Sequence, residues 1–229
     1  MKNLIYGKNS VLDALKANFP IAKIYLQKGL VNKAITFKNI EYLSIQEMNQ
    51  LVKNGNHQGY IAEIYNYQYY DLGTIFKDKP NLVLMLDHIQ DPHNFGAIIR
   101  NANGFGIKHI IIPKNRACEV TPTVLKISSG AFTEIKIIRV GSLFDTLKEL
   151  QKNGFWIYSS TLDDKATKLH KTKFATPTCL IVGNEESGVS HTLIKHSDAL
   201  VYIEQKGTVQ SLNVASATAV LLYEATKEN

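Results

Sequence analysis

An α/β fold with a mostly parallel sheet is predicted for residues 81–229, and three observations predict it. Six short, nearly continuous apolar runs recur there: NLVLMLD, KHIIIP, EIKIIRV, FWIYSS, CLIVG and ALVYIE. Such runs suit strands buried on both faces, the situation of parallel strands between two layers of helix. Helical patterns separate them, so the order alternates as in sheets with helices on both faces. Amide, glycine and charged residues also gather where three of the runs end. In open α/β sheets, ligands bind outside the carboxyl ends of the strands.

The elements follow in chain order. Asn9 or Ser10 is a candidate N-cap for a helix with the apolar stripe Val11, Leu12, Ala14 and Leu15. Residues 21–27 (IAKIYLQ) read as a strand. Ser44 stands three positions before Glu47, a capping-box pattern that starts a second helix. Residues 59–67 (GYIAEIYNY) are rich in β-branched and aromatic side chains and read as another strand. Residues 1–70 therefore form a small α/β unit. The polar and aromatic stretch YNYQYYDLGTIFKDKP follows, and residues 71–80 are taken as a linker. Beyond it, residues 142–154 are a helix with an N-cap serine and a terminal glycine. The last helix covers residues 213–226 and is rich in alanine, valine and leucine.

Composition narrows the function. Apolar residues make up 45% of the 229, ample for a packed core. The apolar runs fall far short of the roughly 18 residues a membrane span needs. The start, MKNLIYGKNS, has no apolar h-region, so no signal peptide is expected. Cys118 and Cys179 belong to no CxxC pair, which argues against a zinc site or a disulfide framework. A cytoplasmic protein is expected. The formal charge is +6, and the first 80 residues carry more of the excess than the remainder, entirely as lysine. Lysine neutralises phosphate as a point charge rather than reading bases, so a polyanion partner is compatible with this balance.

Three segments concentrate the candidate chemistry: DPHNFGAIIR (91–100), LIVGNEESGVS (180–190) and IEQKGTVQSLNVASA (203–217). Asp87 ends a strand, Asp91-Pro92 makes a turn, and Asn94 is placed to cap the helix through Ala97, Ile98 and Ile99. Arg100 ends an apolar run, so its guanidinium is expected near the core. His88 and His93 flank the turn, but nothing else there completes a metal shell, and they read as loop residues. Gly183 follows a strand and allows close backbone approach to a ligand. Glu185 and Glu186 are a general acid–base pair or a solvated turn. Ser190, Ser211 and Asn213 all stand where helices begin, and capping alone would account for them. A dinucleotide-binding turn is excluded, because NLVLMLD is followed by HIQDPHN and Gly104-x-Gly106 lies after a helix without a third glycine.

Together, in this order and spacing, the three segments resemble the motifs of the SpoU (TrmH) family of RNA ribose 2′-O-methyltransferases. The resemblance spans the C-terminal half, and SLNV (211–214) is its most specific string. It implies a knotted (SPOUT-like, trefoil) parallel-sheet catalytic domain over 81–229, S-adenosylmethionine as cofactor, no metal, and a homodimer whose catalytic domains pack together. It implies Asn94, Arg100, Glu185, Ser211 and Asn213 as catalytic residues. The backbones of Gly183, Ile203 and Leu212 would hold the adenosyl part of the cofactor. YGKNSV and HQGY in residues 1–70 resemble the RNA-binding domain of the subgroup that methylates a guanosine of 23S rRNA. Lys8 and its neighbours would there contact phosphates, while Tyr6 and Tyr60 belong to the core. Two departures stand out: Glu204-Gln205 replaces a common Pro-Met pair, and Ala215 replaces a serine. Competing readings are a tRNA ribose methyltransferase and a non-catalytic RNA-binding or ribosome-assembly protein.

Overall fold

Two sheets organise the chain; the first contains the strands expected at 21–27 and 59–67 together with two the sequence did not reveal, at 3–6 and 40–43. The computed structural model describes residues 3–16, 19–30, 35–65, 67–208 and 211–227. The first sheet comprises β1 (Asn3–Tyr6), β2 (Ile21–Gln27), β3 (Ile40–Leu43) and β4 (Tyr60–Ile64) in the order β1-β4-β2-β3. Helices α1 (Lys8–Lys16) and α2 (Ile45–Leu51) complete this unit. Ser44 caps α2 with the reciprocal Glu47 contact that the capping box requires. The cap expected for α1 is different. Asn9 and Ser10 lie inside the helix, and the Lys8 N–H is taken by Gln58 Oε1 at 3.0 Å. The sequence placed no acceptor at the local N-cap, because this one arrives from fifty residues away.

Tyr6 and Tyr60 are packing residues, as expected. Tyr60 is buried, and the Tyr6 ring lies against Gly55 and under Lys126, whose Nζ donates to its hydroxyl at 3.1 Å. Residues 67–78 are more than a tether. Tyr70 pairs with the edge of the second sheet at Ile138, and α3 (Gly73–Asp78) buries Ile75 beneath that sheet.

The second sheet contains β5 (Leu82–Asp87), β6 (His109–Pro113), β7 (Lys136–Val140), β8 (Trp156–Ser160), β9 (Thr167–Lys168), β10 (Thr178–Gly183) and β11 (Ala199–Tyr202). Every pairing is parallel, in the order β7-β6-β5-β10-β8-β11-β9. All six apolar runs are strands; the two-residue β9 was too short to leave a pattern. Period-2 alternation sends Leu82, Leu84 and Leu86 to one face, and Val83 and Met85 to the other. The first face is covered by α4 (Pro92–Gly104), α5 (Pro122–Ile127) and α8 (Val214–Thr226). The second is covered by α3, α6 (Leu143–Lys152) and α7 (His191–His196). Helix α4 is fixed by Phe95, Ile98, Ile99 and Ala102, each essentially inaccessible. Cutting Phe95 back to alanine should cost about 3–5 kcal/mol. Gly96 permits α5 to approach, since a Cβ there would meet Ile127 Cβ at 2.8 Å. No helix among the described residues is long and apolar enough to cross a membrane.

Candidate active site

Strands β5 and β10 are neighbours, and Gly183 pairs with Asp87 at their carboxyl ends. The loops after them, which carry the first two segments, therefore leave the sheet side by side. Asp87 joins them. Its carboxylate is buried and accepts the Ser190 N–H at 2.7 Å on Oδ2, while Oδ1 meets His88 Nδ1. Asp87 was read only as a strand end, although a charge closing an all-apolar run has to find partners when buried. His88 is likewise more than a loop residue: it bonds Asp87 from a left-handed backbone, φ 60°. His93 is exposed and its imidazole takes no part.

Asp91, not Asn94, caps α4. It accepts the His93 N–H at 3.3 Å and the Asn94 N–H at 3.0 Å. The Asn94 side chain is thereby free for another task. Its Nδ2 donates to Glu185 Oε1, and its Oδ1 accepts from Asn213 Nδ2 at 2.9 Å. Asn213 in turn caps α8, accepting the Ala215 and Ser216 N–H groups on Oδ1 at 3.0 and 3.3 Å. Those two backbone donors settle which end of Asn213 is oxygen, and the rest of the chain follows from them. One side chain from each segment thus meets in a single polarised line: Asn213 to Asn94 to Glu185. Asn213 thus caps α8 and reaches Asn94 at once.

Beside this line lies a cleft of about 330 Å³. Gly183, Glu185, Ile203, Ser211 and Leu212 all border it, so every cofactor-binding candidate and two catalytic ones share one cavity. Its lining mixes an apolar part, Leu162, Val182, Ile203, Leu212 and Val214, with polar side chains that include Glu185 and Ser211, and Leu162 and Leu212 stand exposed at it. Gln205 also lines it, with an Oε1 that is buried and meets no donor among the described residues. The apolar part and one unanswered acceptor suit a ligand with a flat apolar body and an N–H at its edge, which the adenosyl group has. The Glu204 carboxylate is held by Lys168 on β9, so the loop that lacks the Pro-Met pair is tied by an ion pair instead. This contact draws the Glu204 carboxyl below its ordinary range and raises the Lys168 ammonium.

Gly183, besides bordering the cleft, is required by the chain itself, because a Cβ there would fall within 2.1 Å of the Gly188–Val189 backbone. Two readings need correction. Ser190 holds the N-cap position of α7, but its side chain makes no capping bond; its N–H serves Asp87. Arg100 is exposed rather than held near the core. The buried stripe of α4 runs through 95, 98, 99 and 102, which turns position 100 outward. It lies about 9 Å along the helix from Asn94 and a third of a turn round it. It borders a separate cleft with Asn9, Asp13 and Lys16 of α1. Two residues missed in the sequence order the second loop: Asp87, and Asn184, whose Oδ1 accepts from Glu186 N and Ser187 N at 3.0 and 2.9 Å. Glu186 is exposed and outside the line. No cluster of three or more metal-ligating side chains occurs among the described residues.

The family model for the SpoU rRNA Methylase family matches residues 81–223, so it takes in the whole of this site. The chain belongs to that family. A second model, for RNA 2′-O ribose methyltransferase substrate binding, matches residues 4–70. As a SpoU methyltransferase the protein draws its methyl group from S-adenosylmethionine. It is 34% identical to an uncharacterized tRNA/rRNA methyltransferase of Synechocystis over 97% of its own length, and spans 62% of that protein. It is 32% identical to a TrmH family tRNA/rRNA methyltransferase of Staphylococcus aureus, covering 96% of this chain and 94% of the other. Its fold is that of the AdoMet-bound rRNA methyltransferase of Sinorhizobium meliloti, with a TM-score of 0.85 at 23% identity over 97% of this chain and 86% of that one.

Proposed function

We propose that this SpoU methyltransferase methylates the ribose 2′-hydroxyl of a guanosine in 23S rRNA. The observation that carries the reading is the Asn213–Asn94–Glu185 line beside a cleft bordered by Gly183, Ile203 and Leu212. Those three hold the adenosyl group through their backbones. When bound, the cofactor supplies a methyl on a positively charged sulfur. Glu185, fixed through one oxygen by Asn94, accepts the 2′-hydroxyl proton. Ser211 and Asn94 orient the ribose, and most of the acceleration comes from holding the reacting oxygen in line.

Arg100 is too basic to take the proton, since guanidinium has a pKa above about 12. It clamps the adjoining phosphate bidentately and stabilises the developing oxyanion. Its exposure, and its lack of any hydrogen-bonding partner among the described residues, suit that duty. The cleft it borders lies against the unit of residues 3–64, whose lysines, Lys8 among them, meet neighbouring phosphates.

A homodimer fits the outer side of α8. This helix is apolar all round, as buried helices are. Yet Val220 and Tyr223 are exposed, and Tyr223 stacks edge-on with Phe105 at 6.3 Å. A second copy would cover that face. Ribosomal RNA as substrate places the enzyme in the cytoplasm.

The deciding experiment supplies methyl-labelled S-adenosylmethionine with unmodified large-subunit rRNA and bulk tRNA in parallel. Labelled sites are mapped by the alkali resistance of 2′-O-methylated linkages. A single protected guanosine in rRNA is the expected result. Label confined to tRNA would replace the proposed substrate; absence of cofactor binding would leave an RNA-binding protein.

A further inference from the structure

Gln205 stands where the family commonly has methionine, so its carboxamide is a feature of this chain. Its Oε1 is buried at the cofactor cleft without a donor among the described residues. A buried acceptor left unmatched costs about 1–3 kcal/mol. The surrounding structure holds the residue in place regardless, because Glu204 is anchored to Lys168 on β9 and Ile203 extends strand β11 toward the cleft. A ligand N–H would answer the oxygen.

S-adenosylmethionine offers three kinds of donor. Its ammonium is a charge, which a buried neutral amide oxygen receives poorly and which the Glu185 carboxylate of the same cleft would receive better. Ribose hydroxyls both donate and accept, and find partners at any polar rim. The exocyclic amino group of adenine is neutral, sits at the edge of a flat apolar ring, and is that ring's sole donor. The cleft matches it: Val182, Ile203, Leu212 and Val214 supply apolar wall, and Gln205 supplies one acceptor.

We propose that Gln205 reads the adenine of the cofactor, accepting the exocyclic N–H on Oε1. The inference rests on the assignment of this cleft to the cofactor. A site built around a hydrogen bond discriminates against the analogue that lacks it, because a buried group is then left unpaired. Adenosyl ligands are therefore preferred over inosyl ones, whose C6 carbonyl oxygen would face the Gln205 oxygen.

Calorimetry on the full-length protein tests this without turnover. The probes are S-adenosylhomocysteine, its inosine counterpart, and 5′-methylthioadenosine, which lacks the amino-acid part. The wild type should bind S-adenosylhomocysteine at least about tenfold more tightly than the inosine form. Gln205→Met should remove most of that preference, and should weaken 5′-methylthioadenosine by the same factor as S-adenosylhomocysteine. An unchanged preference in Gln205→Met overturns the proposal. So does a loss confined to S-adenosylhomocysteine, which would assign Gln205 to the amino-acid end. Leu212→Glu, at a partly exposed position of the same wall, separates the premise from the inference. If it leaves all binding intact, the cofactor lies elsewhere and both fall. If it abolishes binding while Gln205→Met changes nothing, the inference alone falls.

Discussion

Asn213 donates its side-chain amide to Asn94 Oδ1 at 2.9 Å, linking residues 119 positions apart. Each carboxamide has one end already committed. Asn213 Oδ1 holds the start of α8, and Asn94 Nδ2 holds Glu185. The helix terminus thus sets the orientation of a carboxylate two side chains away.

Substitution of Asn213 by aspartate separates the two duties of this residue. Aspartate caps helices as well as asparagine does. It cannot donate to Asn94 Oδ1, and the two oxygens would repel. Asn213→Asp should keep the wild-type melting temperature while kcat on RNA falls at least about tenfold, within the range ascribed to a positioned acid or base. Asn213→Ala should lose the activity and, in addition, about 1 kcal/mol of stability. Turnover at wild-type level in Asn213→Asp would show that Glu185 needs no such line.

Arg100→Lys should fail nearly as badly as Arg100→Ala. A lysine keeps the charge but not the planar fork that grips two phosphate oxygens. Because position 100 is exposed and has no hydrogen-bonding partner among the described residues, neither variant should alter unfolding by urea. A loss of about 100-fold in kcat for both, with stability unchanged, is expected for a clamp on transition-state charge. Near-normal rates in the lysine variant would reduce Arg100 to a general electrostatic contact.

The strands were legible because burial on both faces writes itself into unbroken apolar runs. Asn94, Glu185, Ser211 and Asn213 stood out as candidates only through the order and spacing of whole segments; each residue alone reads as a cap or a turn. What escaped was non-local. Gln58 reaching Lys8, and Asp87 reaching Ser190 across 103 positions, leave no local trace. Arg100 was misplaced for a different reason. Counting apolar neighbours along the chain put it near the core, whereas the helical period of the buried residues places it on the outer surface.

Charge on the outer face of α8 should separate two copies. Val220→Asp and Tyr223→Asp sit at exposed positions, and within the single chain the second gives up only the edge-on contact with Phe105. Sedimentation of wild type should give a dimer, and the double variant should give a monomer with an unchanged circular dichroism spectrum. A dimer that survives both charges would assign the contact to another surface.

Asp78 gives a pH dependence whose sign follows from its partners. Its carboxylate faces Lys136 Nζ and, at 2.8 Å, His109 Nε2, which ties the end of α3 to the starts of β6 and β7. The Lys136 contact first, then His109, lowers its pKa from 3.8 to about 2. In the unfolded chain the carboxyl regains its ordinary value. A depressed folded pKa stabilises above the unfolded one, and the contribution fades as pH falls through the folded one. The wild type should therefore exceed Asp78→Asn in urea resistance at pH 7, with the gap shrinking between about pH 4 and pH 2. Because the pair is partly exposed, added salt should narrow the gap at neutral pH as well. A gap independent of pH across that window would mean that Asp78 acts through geometry alone, holding α3 by hydrogen bonds that the amide reproduces only in part.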